Sequence, residues 1–294
     1  MSLLLRKAAR PVLDRIDRRI DRKVRRELRD TRDELKRLRE QQHSTELLLG
    51  SDGRRFNRHP GPGQIAAVTK QVGDVTGEKH ARRAVIQAYR TLVEAENRGV
   101  GRIAGGTSNI LGKLATAPLL QPPNGRVLEI GTLYGLFAGC LARQLLRAGI
   151  PYELTIVDPI ASVQLQEEMT IDVDASGTPI NEDVVRANLH YTGVLPDRLR
   201  LLRGYSTDPE IHTALAGSEF GVIVVDGDHS AQGVKADLEW VEQLAAPGAV
   251  VVVDDYDDRV WPGVKEATDK HLADGGSRLR RIGQVTTSAF LRAE

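Results

Sequence analysis

Hydrophobic residues along this chain recur at two different periods, and the change from one to the other divides it. Leu13, Ile16, Ile20, Val24, Leu28, Leu35 and Leu38 follow one another at steps of three, four and seven among charged neighbours. That spacing places one narrow apolar stripe on a long charged helix over residues 1–45. Residues 47–63 keep no sustained period, and Ser51-Asp-Gly53 and His59-Pro-Gly-Pro-Gly63 are turn formers, so a linker is expected there. Helical spacing returns between Gln64 and Asn97 through Val68, Val72, Val85, Ala88, Leu92 and Val93. Gly99, Gly101, Gly105 and Gly106 interrupt it, and a short helix capped by Ser108 follows until Pro118 ends it. Residues 46–120 therefore read as linker and helical region.

Beyond Asn124 the pattern shortens to apolar runs. Val127–Ile130, Tyr152–Val157, Arg198–Leu202, Phe220–Val225 and Ala249–Val253 are strand-length and bounded by turn formers. Helical spacing lies between them: through Leu141 and Leu145, after an Asn181 cap, from Ser230 to Leu244, and from Trp261 to Ala267. Leu279–Ile282 and Ala289–Leu291 are expected to close the sheet as a hairpin. Strands alternating with helices predict an α/β domain over residues 121–294, its parallel sheet covered on both faces. Ile160–Glu182 is longer and more polar than an ordinary connection, which suggests an insertion near the substrate.

Charge changes the picture at the N-terminus. The formal net charge is +1, yet residues 1–40 hold 15 Lys/Arg against 8 Asp/Glu, a net of +7. Three roles stay open for such a helix: packing on its own domain, joining copies into a homo-oligomer as a coiled coil, or peripheral contact with an anionic membrane. Interspersed acids and the lack of aromatics argue against nucleic acid. No apolar run approaches the ~18 residues of a membrane span, and Met1–Leu5 is too short for an export signal, so a cytoplasmic protein is expected. The single cysteine, Cys140, excludes an internal disulfide framework and reads as a small buried hydrophobe.

Candidate chemistry gathers at the ends of the strands. After Val127–Ile130 come Gly131 and Gly135, four apart, with Leu133 where the dinucleotide fingerprint carries a second glycine. Such a strand, glycine turn and helix lets a polar or anionic ligand approach bare backbone at a helix N-terminus. Asp158 ends the next strand, where an acid can accept hydrogen bonds from a ribose diol; a turn acid before Pro159 is the alternative. Asp226-Gly-Asp-His-Ser230 and Asp254-Asp-Tyr256 end two further strands and should face the same pocket. Asp226, Asp254 and Asp255 together offer hard oxygen ligands suited to Mg²⁺ or Mn²⁺ rather than zinc.

These motifs resemble a known family. Glu129-Ile-Gly-Thr-Leu-Tyr-Gly135 resembles the first motif of class I S-adenosylmethionine-dependent methyltransferases. The resemblance implies a Rossmann-like fold: a mainly parallel seven-stranded sheet with helices on both faces, here preceded by a helical N-terminal extension. It also implies that Glu129, Gly131, Thr132 and Gly135 hold the amino acid end of S-adenosyl-L-methionine. Gly204-Tyr-Ser-Thr-Asp208 is similar to a turn of catechol-type O-methyltransferases whose serine lies near the adenine, which makes Ser206 a cofactor candidate. Asp226-Gly-Asp-His-Ser, Asp254-Asp-Tyr and Trp261-Pro-Gly-Val264 together resemble the macrocin-type sugar O-methyltransferases, over roughly Leu111–Leu291. In that group the acids corresponding to Asp226, Asp254 and Asp255 bind metal and His229 takes the place of the base, a task that Asp228 is placed to share. The region before the first strand forms a lid in related enzymes.

The function so implied is metal-assisted O-methylation of a sugar, glycosylated natural product or catechol-like hydroxyl. A sulfonium methyl carries its own activation, so the protein has to align donor and acceptor and make the oxygen nucleophilic. Coordination to a cation and a nearby base serve that end, whereas nitrogen needs neither. Two rivals have different signatures. A nicotinamide-dependent oxidoreductase calls for the Gly-x-Gly-x-x-Gly turn that this chain lacks, and an inert scaffold assembled by its N-terminal helix would have no use for the acids.

Overall fold

The structure, a computed structural model, describes residues 3–49, 58–161 and 177–294. The chain falls into two units, residues 1–52 and 53–294. The first is a single helix, α1 (Leu3–Leu49), on which Ile16, Ile20, Val24, Leu28, Leu35 and Leu38 are all exposed. Part of the expected linker, residues 50–57, and most of the expected insertion, residues 162–176, lie outside the described residues.

In the second unit the helices α2 (Pro62–Thr76), α3 (Ala81–Arg98) and α4 (Thr107–Leu119) precede the first strand. The strands are β1 (Arg126–Ile130), β2 (Glu153–Asp158), β3 (Leu199–Arg203), β4 (Phe220–Val225), β5 (Ala245–Val253), β6 (Leu279–Val285) and β7 (Ser288–Ala293). Helices α5 (Leu136–Arg147), α6 (Glu182–Tyr191), α7 (Pro209–Leu215), α8 (Ala231–Leu244) and α9 (Pro262–Ala273) alternate with them. The sheet runs β3-β2-β1-β4-β5-β7-β6. Its first five strands are parallel, and β7 enters antiparallel to β5 as half of a hairpin with β6. This is the Rossmann-like architecture expected from the sequence, a mainly parallel seven-stranded sheet with helices on both faces.

Period-two alternation explains why the central strands are apolar throughout. Val127, Val222, Val224, Val250 and Val252 face a core shared with α2–α6. Leu128, Ile130, Ile223, Val225, Val251 and Val253 face a second core under α7–α9. Both faces of a parallel sheet are buried by its crossover helices, so neither face can be polar. Three local expectations change. Strand β5 begins at Ala245, four residues earlier than expected, because Pro247-Gly248 is carried within the strand beside a register shift against β4. Helix α4 is capped by Gly106, and Ser108 lies in its first turn. Pro118 is accommodated in the last turn of that helix instead of ending it.

Two polar devices fasten the helical layer, and the second reaches the glycine turn. Arg58 pairs with Glu96 at 3.0 Å, both side chains 3% exposed, and donates to the carbonyls of Gly105 and Ile103. It thereby fastens the glycine-rich segment between α3 and α4. Asn188, fully buried on α6, accepts from the Val100 amide at 2.8 Å and donates to the carbonyls of Val100 and Tyr134 at 2.7 and 2.9 Å. Gly101 packs so closely on Tyr134 that a Cβ there would lie 2.8 Å from its ring. Asn188→Ala would strand these three backbone groups, and each unpaired buried group is costly. We expect a loss of about 2–4 kcal/mol in urea unfolding, with m unchanged.

Candidate active site

The sheet order reverses between β1 and β4, and ligands of open α/β sheets bind outside the carboxyl ends of the strands at such a point. The ladder continues one residue beyond the strands here. Gly131 donates to the Val157 carbonyl at 3.0 Å, Asp226 to Ile130 at 2.9 Å, and Asp254 to Val225 at 3.0 Å. Gly131, Asp226 and Asp254 are therefore set in consecutive order along one edge by backbone hydrogen bonds. A cavity of about 890 Å³ opens over this edge.

The glycine turn forms one wall. Gly131, Leu133 and Gly135 all have positive φ, at 83°, 56° and 77°. Leu133 is the strained member, since a side chain disfavours that region. Asp158 holds the turn in shape: its Oδ2 accepts from the Thr132 and Leu133 amides at 2.7 and 3.4 Å, and its Oδ1 from Ile160 at 2.6 Å. The acid expected at a ribose thus carries the turn-building role as well, while still lining the cavity. Gly131, Thr132 and Ser206 line it too, whereas Gly135 does not. Gly135 caps α5 and packs on α6, where a Cβ would sit 3.1 Å from Val185 and Leu189 side chains. Cys140 is fully buried inside α5, and burial pushes its thiol up to about 12.

Glu129 differs from every other acid at this edge. It is 2% exposed on β1, lines the cavity, and its Oε2 has no hydrogen-bond partner. Burial pushes its carboxyl up to about 8, with Thr132 working against the shift. An unpaired buried carboxyl calls for a donor from outside the chain. The amino group of an S-adenosylmethionine amino acid end is such a donor, so this wall fits that cofactor.

The opposite wall holds the acids. The Lys113 ammonium, on α4, contacts Asp254 Oδ2 and lies 3.2 Å from Asp226 Oδ2. It also lies 4.6 Å from the centre of the Phe137 ring. Asp254 Oδ1 accepts from Asn109 Nδ2 and Ser288 Oγ, each at 2.7 Å. Asn109 Oδ1 accepts in turn from the Thr286 hydroxyl at 2.7 Å and lies 2.7 Å from Ser288 Oγ, whose single proton is shared between this oxygen and Asp254 Oδ1. Burial disfavours charge on both partners, but Asp226 and Asp254 outweigh it at Lys113, whose ammonium is held above its ordinary range. Lys113 and its hydrogen bonds likewise hold Asp254 well below the usual carboxylate range in spite of burial. Burial and Asp254 push Asp255 up to about 7, and the same causes raise Asp226.

His229 faces this cluster. Its Nε2 lies 3.4 Å from Asp226 Oδ1 and 3.9 Å from Asp255 Oδ2, and its ring tilts against Trp261 at 5.1 Å. Its Nδ1 is buried without a partner. Burial opposes the charged imidazole, yet the hydrogen bond and charge of Asp226 leave it raised above the ordinary histidine value. Asp228 is committed elsewhere: its Oδ1 accepts from the Ser230 amide at 2.8 Å at the start of α8.

The expected divalent-cation triad is not what these acids form. Among the described residues no group of three His, Cys, Asp or Glu side chains is arranged to hold a metal ion. More directly, the place between Asp226 and Asp254 is taken by the Lys113 ammonium, and the remaining Asp254 oxygen is taken by Asn109 and Ser288. The residues as arranged do not fit Mg²⁺ or Mn²⁺. Lys113, Asn109 and Ser288 are the site residues that sequence reasoning missed. One signal was available for Lys113, which is the only charged residue in the otherwise apolar run Ile110–Ala117.

Residues 128–256 match the family model described as a methyltransferase domain. The match begins inside β1, takes in the glycine turn and both acidic motifs, and ends at Tyr256. No curated protein matches the chain. Among solved structures the chain is similar to the O-methyltransferase NovP, at 20% identity over 78% of this chain and 99% of that one, with a TM-score of 0.48. It is also similar to cofactor-bound Rv0187 from MTB, at 23% identity over 80% and 98%, TM-score 0.48. CalS11, a calicheamicin methyltransferase, matches at 18% identity over 82% and 96%, TM-score 0.48.

Gly131 is the fixed point of this carboxyl edge of the sheet. A Cβ there would lie 2.1 Å from the Asp226 carbonyl oxygen, backbone against backbone. Gly131→Ala is accordingly expected to disturb the fold as well as any ligand. Unfolding should show a loss of at least about 1–2 kcal/mol, the cost of a left-handed side-chain residue before the clash is added.

Proposed function

We propose that this chain is an S-adenosylmethionine-dependent O-methyltransferase acting on a small-molecule or glycan hydroxyl, in a sugar, a glycosylated natural product or a catechol-like compound. The observation that carries the reading is the buried Glu129 carboxyl beside the glycine turn, its Oε2 without a partner, in the same cavity as His229 and the strand-end acids. Glu129 would receive the cofactor's amino group, Gly131 and Thr132 its backbone approach, and Asp158 and Ser206 its nucleoside end.

A bound cofactor would supply a sulfonium methyl for the acceptor oxygen, its sulfur keeping the C–S electron pair as a neutral thioether. The chain's own work is to deal with the acceptor's proton and to exclude water. His229 takes that proton at a ring nitrogen, and Asp226, 3.4 Å from Nε2, stabilises the imidazolium that results. Trp261 against the ring restricts its orientation. Glu129 and Gly131 on one wall and His229 on the other give the site two ends, one for donor and one for acceptor.

Because Glu129 titrates at about 8, it is largely protonated in the free protein at neutral pH. An ammonium docked on it favours the carboxylate and drives the proton off. Calorimetry of S-adenosylmethionine binding near pH 7, repeated in buffers of different ionisation enthalpy, should show proton release. Glu129→Gln should abolish that release and weaken binding. Equal affinity and unchanged proton release in the folded variant would refute the assignment.

His229→Ala should leave cofactor affinity intact and slow methyl transfer by about 10² to 10⁴-fold, the usual contribution of a positioned base. The residual rate should rise with pH as hydroxide substitutes for the base. A screen with labelled cofactor across glycans, glycosylated natural products and catechols supplies the acceptor for this measurement.

The reading extends to α1. Its exposed apolar stripe suits pairing between copies of the chain. Removal of residues 1–45 should lower the mass measured by light scattering to that of a monomer while methyl transfer persists. Loss of vesicle binding with no change in mass would favour the membrane role instead.

A further inference from the structure

Resting on the reading of this cavity as a methyltransferase site, we propose that the Lys113 ammonium occupies the place of a divalent cation here, so that the chain transfers methyl groups without metal. Three independent contacts hold that ammonium: Asp254 Oδ2, Asp226 Oδ2 and the face of Phe137. Its side chain is 4% exposed, and Ile110, Leu111 and Leu114 around it on α4 are fully buried in the core. The helix is also held close at Gly112, where a Cβ would meet Val285 at 2.6 Å. An ammonium swung away from the acids would enter that apolar packing unpaired, at a cost of several kcal/mol.

Both oxygens of Asp254 are already engaged by this chain's own donors. Asn109 stands one helical turn before Lys113, so a single helix face delivers both an amide to Asp254 Oδ1 and an ammonium to Oδ2. Ser288, from the hairpin, fills the second position on Oδ1. A dication and an ammonium cannot share carboxylates a few ångströms apart, because their repulsion in a cavity of low polarity is large. Lys113 and a metal ion are therefore alternatives. The lysine is a positioning residue: it fixes Asp226 and Asp254, and through Asp226 the ring of His229, while leaving the acceptor oxygen to the base alone. An ammonium, unlike a metal ion, has no coordination position for the acceptor oxygen, which places the whole task of proton removal on His229.

Mn²⁺ binding provides a test that does not depend on turnover. Titration of the metal-stripped wild-type protein, followed by the electron paramagnetic resonance of free Mn²⁺, should show no saturable site. Lys113→Ala vacates the place between two carboxylates and should gain one, which a second change, Asp254→Asn, removes again. With an acceptor in hand, wild-type methyl transfer should be unchanged by EDTA. Saturable Mn²⁺ binding by the wild type that is lost in a folded Asp254→Asn variant overturns the proposal. If Lys113→Ala does not fold, the wild-type titration decides alone. Failure of the protein to bind S-adenosylmethionine would sink the methyltransferase reading and leave the Mn²⁺ result standing by itself.

Discussion

The ion pair between Lys113 and Asp254 joins the helical layer to the carboxyl edge of the sheet, and much of the site's geometry depends on it. Taking two charges out of water costs several kcal/mol apiece, and only close contact with further hydrogen bonds returns it. Both conditions hold, because Asn109 and Ser288 complete Asp254 while Asp226 and Phe137 complete the ammonium. Such a pair adds little net stability over apolar packing, yet it tolerates only one arrangement. That selectivity brings α4, β4, β5 and β7 to a common point.

The charges at this edge are distributed unevenly, and the unevenness assigns roles. Asp254 is the carboxylate held ionised, Asp255 and Asp226 are pushed up, and Glu129 stands apart at the far wall with its own raised value. One acid serves structure, others tune the histidine, and one awaits a partner from outside. Four acids of similar appearance in the sequence thus have separate duties set by what each touches.

Much of this was legible in the sequence. The five parallel strands were readable because a strand buried on both faces is apolar at every position, and their alternation with helices fixed the architecture. The strand-end acids followed from the same runs, since Asp158, Asp226 and Asp254 each stand at or just after the last strand residue. What could not be read was contact across the chain. Lys113 and Asp254 are 141 residues apart, and no local pattern announces that a helix lysine points at a strand end. Gly135 looked like part of a ligand loop because a helix-capping glycine and a ligand-approaching glycine have the same local signature. The beginning of β5 was hidden by Pro247-Gly248, a pair that ordinarily marks a turn and here sits beside a register shift.

Arg58 gives the cavity a property that its lining residues do not reveal. The segment Arg102–Gly106 lines the cavity, and it is fastened from behind by a guanidinium that also clasps Glu96. The wall facing the ligand is therefore assembled from chain lying more than forty residues upstream of it. A proteolytic cut or truncation placed just after Arg58 would spare every strand, every acid and the glycine turn, yet unbuckle that wall. The functional border of the domain thus lies well before its first strand, at a single arginine ahead of α2.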